Sequence, residues 1–137
     1  MSSEELTILY VEDHLPTQEL IEEILKAYCK EVFVANNGEE GLLLYTEKKP
    51  DMVLSDIRMP IMDGLEMSAA IKAINPEQTI ALFTAFNEDE YLEKAANIGI
   101  ETYMLKPLDR KQFFNSLNFM ALDVQMNREK NGGLEDA

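Results

Sequence analysis

The sequence predicts an α/β fold: a five-stranded parallel sheet with helices on both faces, a (βα)5 three-layer sandwich. Three observations predict it. Short, β-rich apolar runs alternate five times with stretches of helical periodicity. The strand runs are apolar at nearly every position, as strands are when both faces of a sheet are covered. A helix between each pair of successive strands is what right-handed crossover connections require.

The first strand is Leu6–Val11, "LTILYV", with acids directly after it. "PTQELIEEILKAYCK" follows, with Leu20, Ile21, Ile24, Leu25 and Tyr28 at helical spacing. Thr17 suits the N-cap of this helix, whereas Pro16 at its first position would move the cap to Leu15 or His14. "EVFVA" is the second strand, and "GEEGLLLYTEKK" the helix stopped by Pro50. "DMVLS" is the third strand, then "LEMSAAIKAI", closed by Asn75-Pro76. "TIALFT" leads into "EDEYLEKAANIG", with acids in its first turn and Gly99 at its end. "TYML" is the fifth strand. The last helix runs from Asp109 to about Lys130, amphipathic through Phe113, Leu117, Met120 and Val124. Residues 1–130 therefore form one domain, and the polar, Gly-rich 131–137 is expected to be a flexible tail or linker.

Composition narrows the function. The chain has 137 residues and a net charge of −14. That charge argues against nucleic acid or an anionic membrane as a direct partner and favours a cationic ligand or basic surface. Cys29 is the only cysteine, and a lone buried-pattern thiol fits a reducing, cytoplasmic setting. There is no apolar run of membrane-spanning length, and no basic start that would mark a signal peptide. The eight methionines read as core filler.

In such a sheet, ligands bind beyond the carboxyl ends of the strands. After the first strand stand Glu12 and Asp13; at the end of the third, Asp56; at the end of the fourth, Thr84; after the fifth, Lys106 and Pro107. Three carboxylates brought together repel one another, and a hard divalent cation relieves this. Mg²⁺, with Mn²⁺ as the alternative, takes one or two carboxylates plus a phosphate. Lys106 is a compact charge suited to a phosphoryl oxygen, and Thr84 a small donor. The set is built to place a phosphoryl group on a carboxylate, with Asp56, between the others, as nucleophile.

Each residue has a plainer reading. Asp56 alone suits a turn as well as it suits a nucleophile. Glu12 and Asp13 suit a solvated helix entry, Glu12 more than Asp13 in so acidic a chain. Thr84 suits a strand end, Lys106 the surface, and Tyr103 simple packing. Asp63-Gly64 reads as a turn and helix start, and His14, the only histidine, as an exposed loop residue rather than a ligand.

Together, "YVED", "DIRMPIMDG", "FTA" and "LKP", each at the end of a predicted strand, resemble the receiver domain of two-component response regulators over about Leu6 to Met126. The resemblance implies a flavodoxin-like sheet order of 2-1-3-4-5. It implies that Asp56 accepts a phosphoryl group from a phosphohistidine of a sensor histidine kinase or phosphotransfer protein. Asp13, Asp56 and the backbone carbonyl of Arg58 would ligate Mg²⁺, with Glu12 assisting. Lys106 would contact Asp56 and then the phosphoryl group, and the Lys106-Pro107 bond would be cis. Thr84 and Tyr103 would be the switch pair, acting on the face of the fourth helix, fifth strand and fifth helix. Such a chain is a signalling switch, not an enzyme in the ordinary sense, and a homodimer through the last helix face is a further expected partner. Arg58 and Phe86, two residues past Asp56 and Thr84, are placed to limit water's approach, so a long-lived phosphorylated state is expected.

Two enzyme-like or cofactor readings compete. A haloacid-dehalogenase-like phosphatase needs its nucleophile in an Asp-x-Asp pattern after the first strand, where this chain reads "VEDHLP". An FMN-binding flavodoxin needs a small hydroxyl- and Gly-rich phosphate loop there, and two carboxylates would repel the phosphate. A receiver-like module that is never phosphorylated usually lacks part of the acid-Thr-Lys set, which is complete here.

Overall fold

The computed structural model describes residues 5–85, 89–100 and 102–136, with side chains to 129. Strands β1 (Thr7–Val11), β2 (Glu31–Ala35), β3 (Met52–Asp56), β4 (Thr79–Thr84) and β5 (Thr102–Leu105) alternate with helices α1 (Leu15–Tyr28), α2 (Gly38–Lys48), α3 (Gly64–Ile74), α4 (Asp89–Ile98) and α5 (Arg110–Asp136). All strand pairs are parallel, in the order β2-β1-β3-β4-β5. The expected topology is therefore the observed one.

Alternation along each strand divides the interior into two cores. Ile8, Tyr10, Met52, Leu54, Ala81 and Phe83 face α1 and α5, where they meet Ile21, Leu25, Phe113 and Leu117. Leu9, Val11, Val53, Ile80 and Leu82 face the other way, against Tyr45, Met67, Ile71 and Ala95. Each large side chain so buried stabilises the fold by about 1.5–3 kcal/mol, which is why near-continuous apolar runs are needed in the strands. At the edge that carries the site, helices are started by local chemistry. Asn37 caps α2 by accepting from Glu40 N–H at 2.9 Å. Asp63 caps α3, accepting from Glu66 N–H at 2.8 Å while the Glu66 carboxylate accepts from Asp63 N–H. The cap of α1 is His14, with Pro16 in the first turn.

α5 continues to Asp136, past Lys130 where composition places a linker. It accommodates Gly132 and Gly133, each costing about 1 kcal/mol of helix propensity. Its distal turns are held to the amino-terminal edge of the sheet. Asp123 accepts from the Thr79 hydroxyl at 3.0 Å, Asn127 donates to the Glu77 carbonyl at 3.1 Å, and Arg128 pairs with Asp51, whose other oxygen accepts from Thr7 N–H at 2.8 Å.

Candidate functional site: an acidic pocket at the carboxyl edge

The loops that follow β1, β3, β4 and β5 meet at the carboxyl edge. Glu12, Asp13 and Asp56 each present an oxygen there, all within 4.8 Å of one another. Lys106 Nζ donates to Asp56 Oδ1 at 2.8 Å, and Ile57 N–H donates to the same oxygen at 3.0 Å. Oδ2 takes no protein hydrogen bond among the described residues. Thr84 is buried at the end of β4, with its hydroxyl donating weakly to the Ala85 carbonyl at 3.3 Å. Its own carbonyl accepts from Lys106 N–H at 2.9 Å, which fixes the start of the loop that carries the lysine. The Lys106-Pro107 bond is cis.

Burial within the acidic set reverses what composition suggests. Glu12 is 2% exposed, whereas Asp13 is open to solvent. Glu12 N–H donates to Ala35 O, and its carboxylate accepts from His14 N–H at 3.1 Å. Burial pushes the Glu12 carboxyl up to about 7; the Asp56 and Asp13 charges add to this, while the His14 N–H and Lys106 oppose it. A pocket that already holds a carboxyl near neutrality, beside two more carboxylates, fits a hard divalent cation. Glu12, Asp13 and Asp56 are the residues placed to hold it.

The loop after β3 is shaped by the absence of a side chain. A Cβ on Gly64 would lie 2.1 Å from the Asp56 carbonyl oxygen, and Gly64 N–H donates to Ile57 O at 2.7 Å. The Asp56 carbonyl accepts from the Ser55 hydroxyl at 2.7 Å. Gly64 is thus both the helix start expected of it and a close-approach glycine that lets the chain fold back over Asp56. Gly38 plays the same part from the other side, with a would-be Cβ 2.5 Å from Met62 O.

One contributor carries no motif. Gln18 is buried on α1 and donates to Glu12 O at 2.7 Å and to Asn36 Oδ1 at 2.9 Å, tying α1 to the acidic loop. The one signal for it is a polar residue on the apolar stripe of Ile21 and Leu25. The Arg58 guanidinium lies over the Tyr91 ring of α4, 5.3 Å from its centroid, rather than standing in solvent alone. Tyr103 turns its hydroxyl to the Ile100 and Leu92 carbonyls, at 2.7 and 3.3 Å. His14 is exposed, its Nδ1 2.7 Å from the Thr17 hydroxyl. Phe86 lies outside the described residues.

Comparison with known proteins agrees with this geometry. The family model for the response regulator receiver domain matches residues 8–118. The chain is 32% identical to the chemotaxis protein CheY of Halobacterium salinarum, over 81% of this chain and 92% of the relative. It is 37% identical to the transcriptional regulatory protein ZraR of Klebsiella oxytoca over 80% of this chain, but spans about a quarter of that relative's length (25%). The N-terminal domain of a Wolinella succinogenes protein superposes with a TM-score of 0.81 and 32% identity, covering 90% of this chain and 98% of that one. The strand order, the residues gathered at the carboxyl edge and these likenesses together place the chain in the response regulator receiver domain family.

Proposed function

We propose that the chain is a phosphorylation-controlled switch in which Asp56 takes a phosphoryl group from the phosphohistidine of a sensor kinase or phosphotransfer protein. The observation that carries this is the state of Asp56: one oxygen held by Lys106 at 2.8 Å, the other unengaged, beside two further carboxylates. The unengaged oxygen attacks phosphorus as the phosphorus–nitrogen bond of the donor breaks, and the imidazole leaves with the bonding pair. Lys106 and the Ile57 N–H fix the carboxylate for this attack, and Lys106 then offsets charge on the phosphoryl oxygens. Asp13, Asp56 and the Arg58 carbonyl, assisted by Glu12, would hold Mg²⁺ or Mn²⁺, which supplies further charge neutralisation on the transferred group. The chain promotes its own phosphorylation and hydrolysis and acts as a switch rather than as an enzyme on other substrates.

The output follows from Thr84. Among the described residues its hydroxyl has only a long bond to a neighbouring carbonyl, so a phosphoryl oxygen offers it a stronger, charge-assisted partner. A shift of Thr84, with Tyr103 beside it on β5, would bias the face of α4, β5 and α5 towards a partner or effector. A second copy meeting the last helix is one such partner. The reading places the chain in the cytoplasm, where the kinase domain would meet it; no helix among the described residues is long and apolar enough to cross a membrane.

Incubation with Mg²⁺ and acetyl phosphate should add one phosphoryl group by intact mass, and Asp56→Asn should abolish it. A phosphoryl group retained by Asp56→Asn, or none on the unaltered protein, would overturn the assignment.

A further inference from the structure

A cavity of about 430 Å³ lies between α1 and α5, next to the acidic pocket, with which it shares Glu12 and Lys106. That volume suits a small organic molecule. Tyr10 and Phe83 of the sheet form its floor, Ile21 and Ile24 one wall and Phe113 the other. Leu20 stands on the α1 side and is 61% exposed, so apolar surface is left open along the groove. The α1 residues that line it, Thr17 to Ile24, span two helical turns, about 10 Å. Tyr10 is 1% exposed and faces this cavity, yet its hydroxyl takes no hydrogen bond among the described residues. Buried phenols ordinarily find a partner, and Tyr28, Tyr45 and Tyr103 each donate a hydrogen bond here. Burial, with the Glu12 and Asp56 carboxyls nearby, pushes the Tyr10 phenol far above its usual range, so it stays a donor.

We propose that this cavity binds a small monocarboxylic acid, whose carboxylate accepts from the Tyr10 hydroxyl and whose apolar body lies along Ile21, Ile24 and Phe113. Charge and shape choose this class. Two cations, Lys106 and Arg110, line the cavity at the end where α1 and α5 begin, and Arg110 forms no ion pair among the described residues. The neighbouring Asp109 carboxylate is turned to the Lys111 N–H at 3.0 Å. A single negative charge therefore finds cations and a buried donor within one cavity. A polyanion would instead meet the chain's net charge of −14. An ammonium head would face Lys106 and Arg110, and a plain hydrocarbon would leave the Tyr10 proton without an acceptor. Binding itself does not rest on phosphorylation of Asp56, but its consequence does. Lys106 belongs to both sites, so an acid held beside it competes with Asp56 for the ammonium and would slow the phosphorylation proposed above.

The test titrates 2-naphthoate, a flat apolar acid, into the full chain without Mg²⁺ or acetyl phosphate, followed by amide NMR. Saturable shifts should gather on α1 and on the start of α5, with a dissociation constant of about 1 mM or tighter, as the size of the probe allows. Tyr10→Phe removes only the hydroxyl and should weaken binding about fivefold. Arg110→Gln should weaken it about twofold, and Ile24→Trp, which fills the groove, should abolish it. Melting curves of Tyr10→Phe and Arg110→Gln should match that of the parent. 2-Naphthylmethanol, of the same shape without the charge, should bind more weakly. An absence of saturable shifts up to about 5 mM 2-naphthoate overturns the proposal. So does equal binding by Tyr10→Phe and the parent, or equal binding of 2-naphthylmethanol, either of which would leave an unselective apolar groove. The titration contains no phosphodonor, so failure of this site and failure of the phosphorylation reading are separately readable.

Discussion

Glu12 shows how one buried carboxyl links the site to stability. Its pKa, raised to about 7 by burial and by the Asp56 and Asp13 charges, stands above the unfolded value of 4.5. Between those two values the folded state binds more protons than the unfolded one, so stability falls as pH rises from about 4.5 to 7. The loss is complete above that window and is on the order of 3 kcal/mol. In metal-free buffer, Glu12→Gln should therefore be more stable than the parent at pH 8 and nearly equal to it at pH 4.5, as read by urea midpoints. A steeper loss of stability with pH in Glu12→Gln than in the parent would contradict this. Ser68 offers a simpler case. Its hydroxyl, on α3, is buried with no hydrogen-bond partner among the described residues. Ser68→Ala removes an unsatisfied polar atom without opening a cavity, and should be neutral or stabilising by about 1 kcal/mol in thermal melts.

At the scale of elements, the loop from β3 to α3 governs where Asp56 stands. Ile61 in this loop has φ of 72°, a left-handed conformation that a β-branched residue adopts only under constraint. Gly64 then returns the chain within contact of the Asp56 carbonyl. Gly64→Ala must displace backbone rather than a flexible side chain. It should cost about 2 kcal/mol or more and should slow phosphorylation by acetyl phosphate, whereas Ala at the exposed α2 position Glu47 should not slow it. Equal phosphorylation rates in Gly64→Ala and the parent would show that the close approach does not position Asp56. Tyr91 extends the same control to α4 through its contact with Arg58, so the loop that carries the phosphoacceptor also touches the helix expected to respond.

Across the whole molecule, the order of elements and the convergence of Glu12, Asp13, Asp56, Thr84 and Lys106 were legible because a parallel sheet sends every strand's carboxyl end to one edge. Periodicity supplies the strands, and chain order supplies the edge. What was not legible depended on packing between distant segments. Composition made Glu12 the more solvated of the two acids, but β1 carries it under Gln18 and Ala35, and it is the buried one. The buried face of α5, by contrast, was legible from its own periodicity: Phe113, Leu117, Met120 and Val124 pack into the core as their spacing indicates, which leaves Phe119, Leu122 and Met126 outside.

The ties between α5 and the opposite edge of the sheet bear on where the domain can be cut. The family match ends at residue 118, yet Asp123, Asn127 and Arg128 hold the amino-terminal ends of β1, β3 and β4. A chain trimmed after Met126 keeps every residue of the acidic pocket. It should still lose up to about 1 kcal/mol of stability in denaturant titrations, because Asp51 and the Glu77 carbonyl give up their partners. An unchanged midpoint would mean that these ties are mere surface contacts. If they are more, the boundary of the folding unit lies about ten residues beyond the boundary of the signalling motif, and fusion partners should be joined after Arg128 rather than before it.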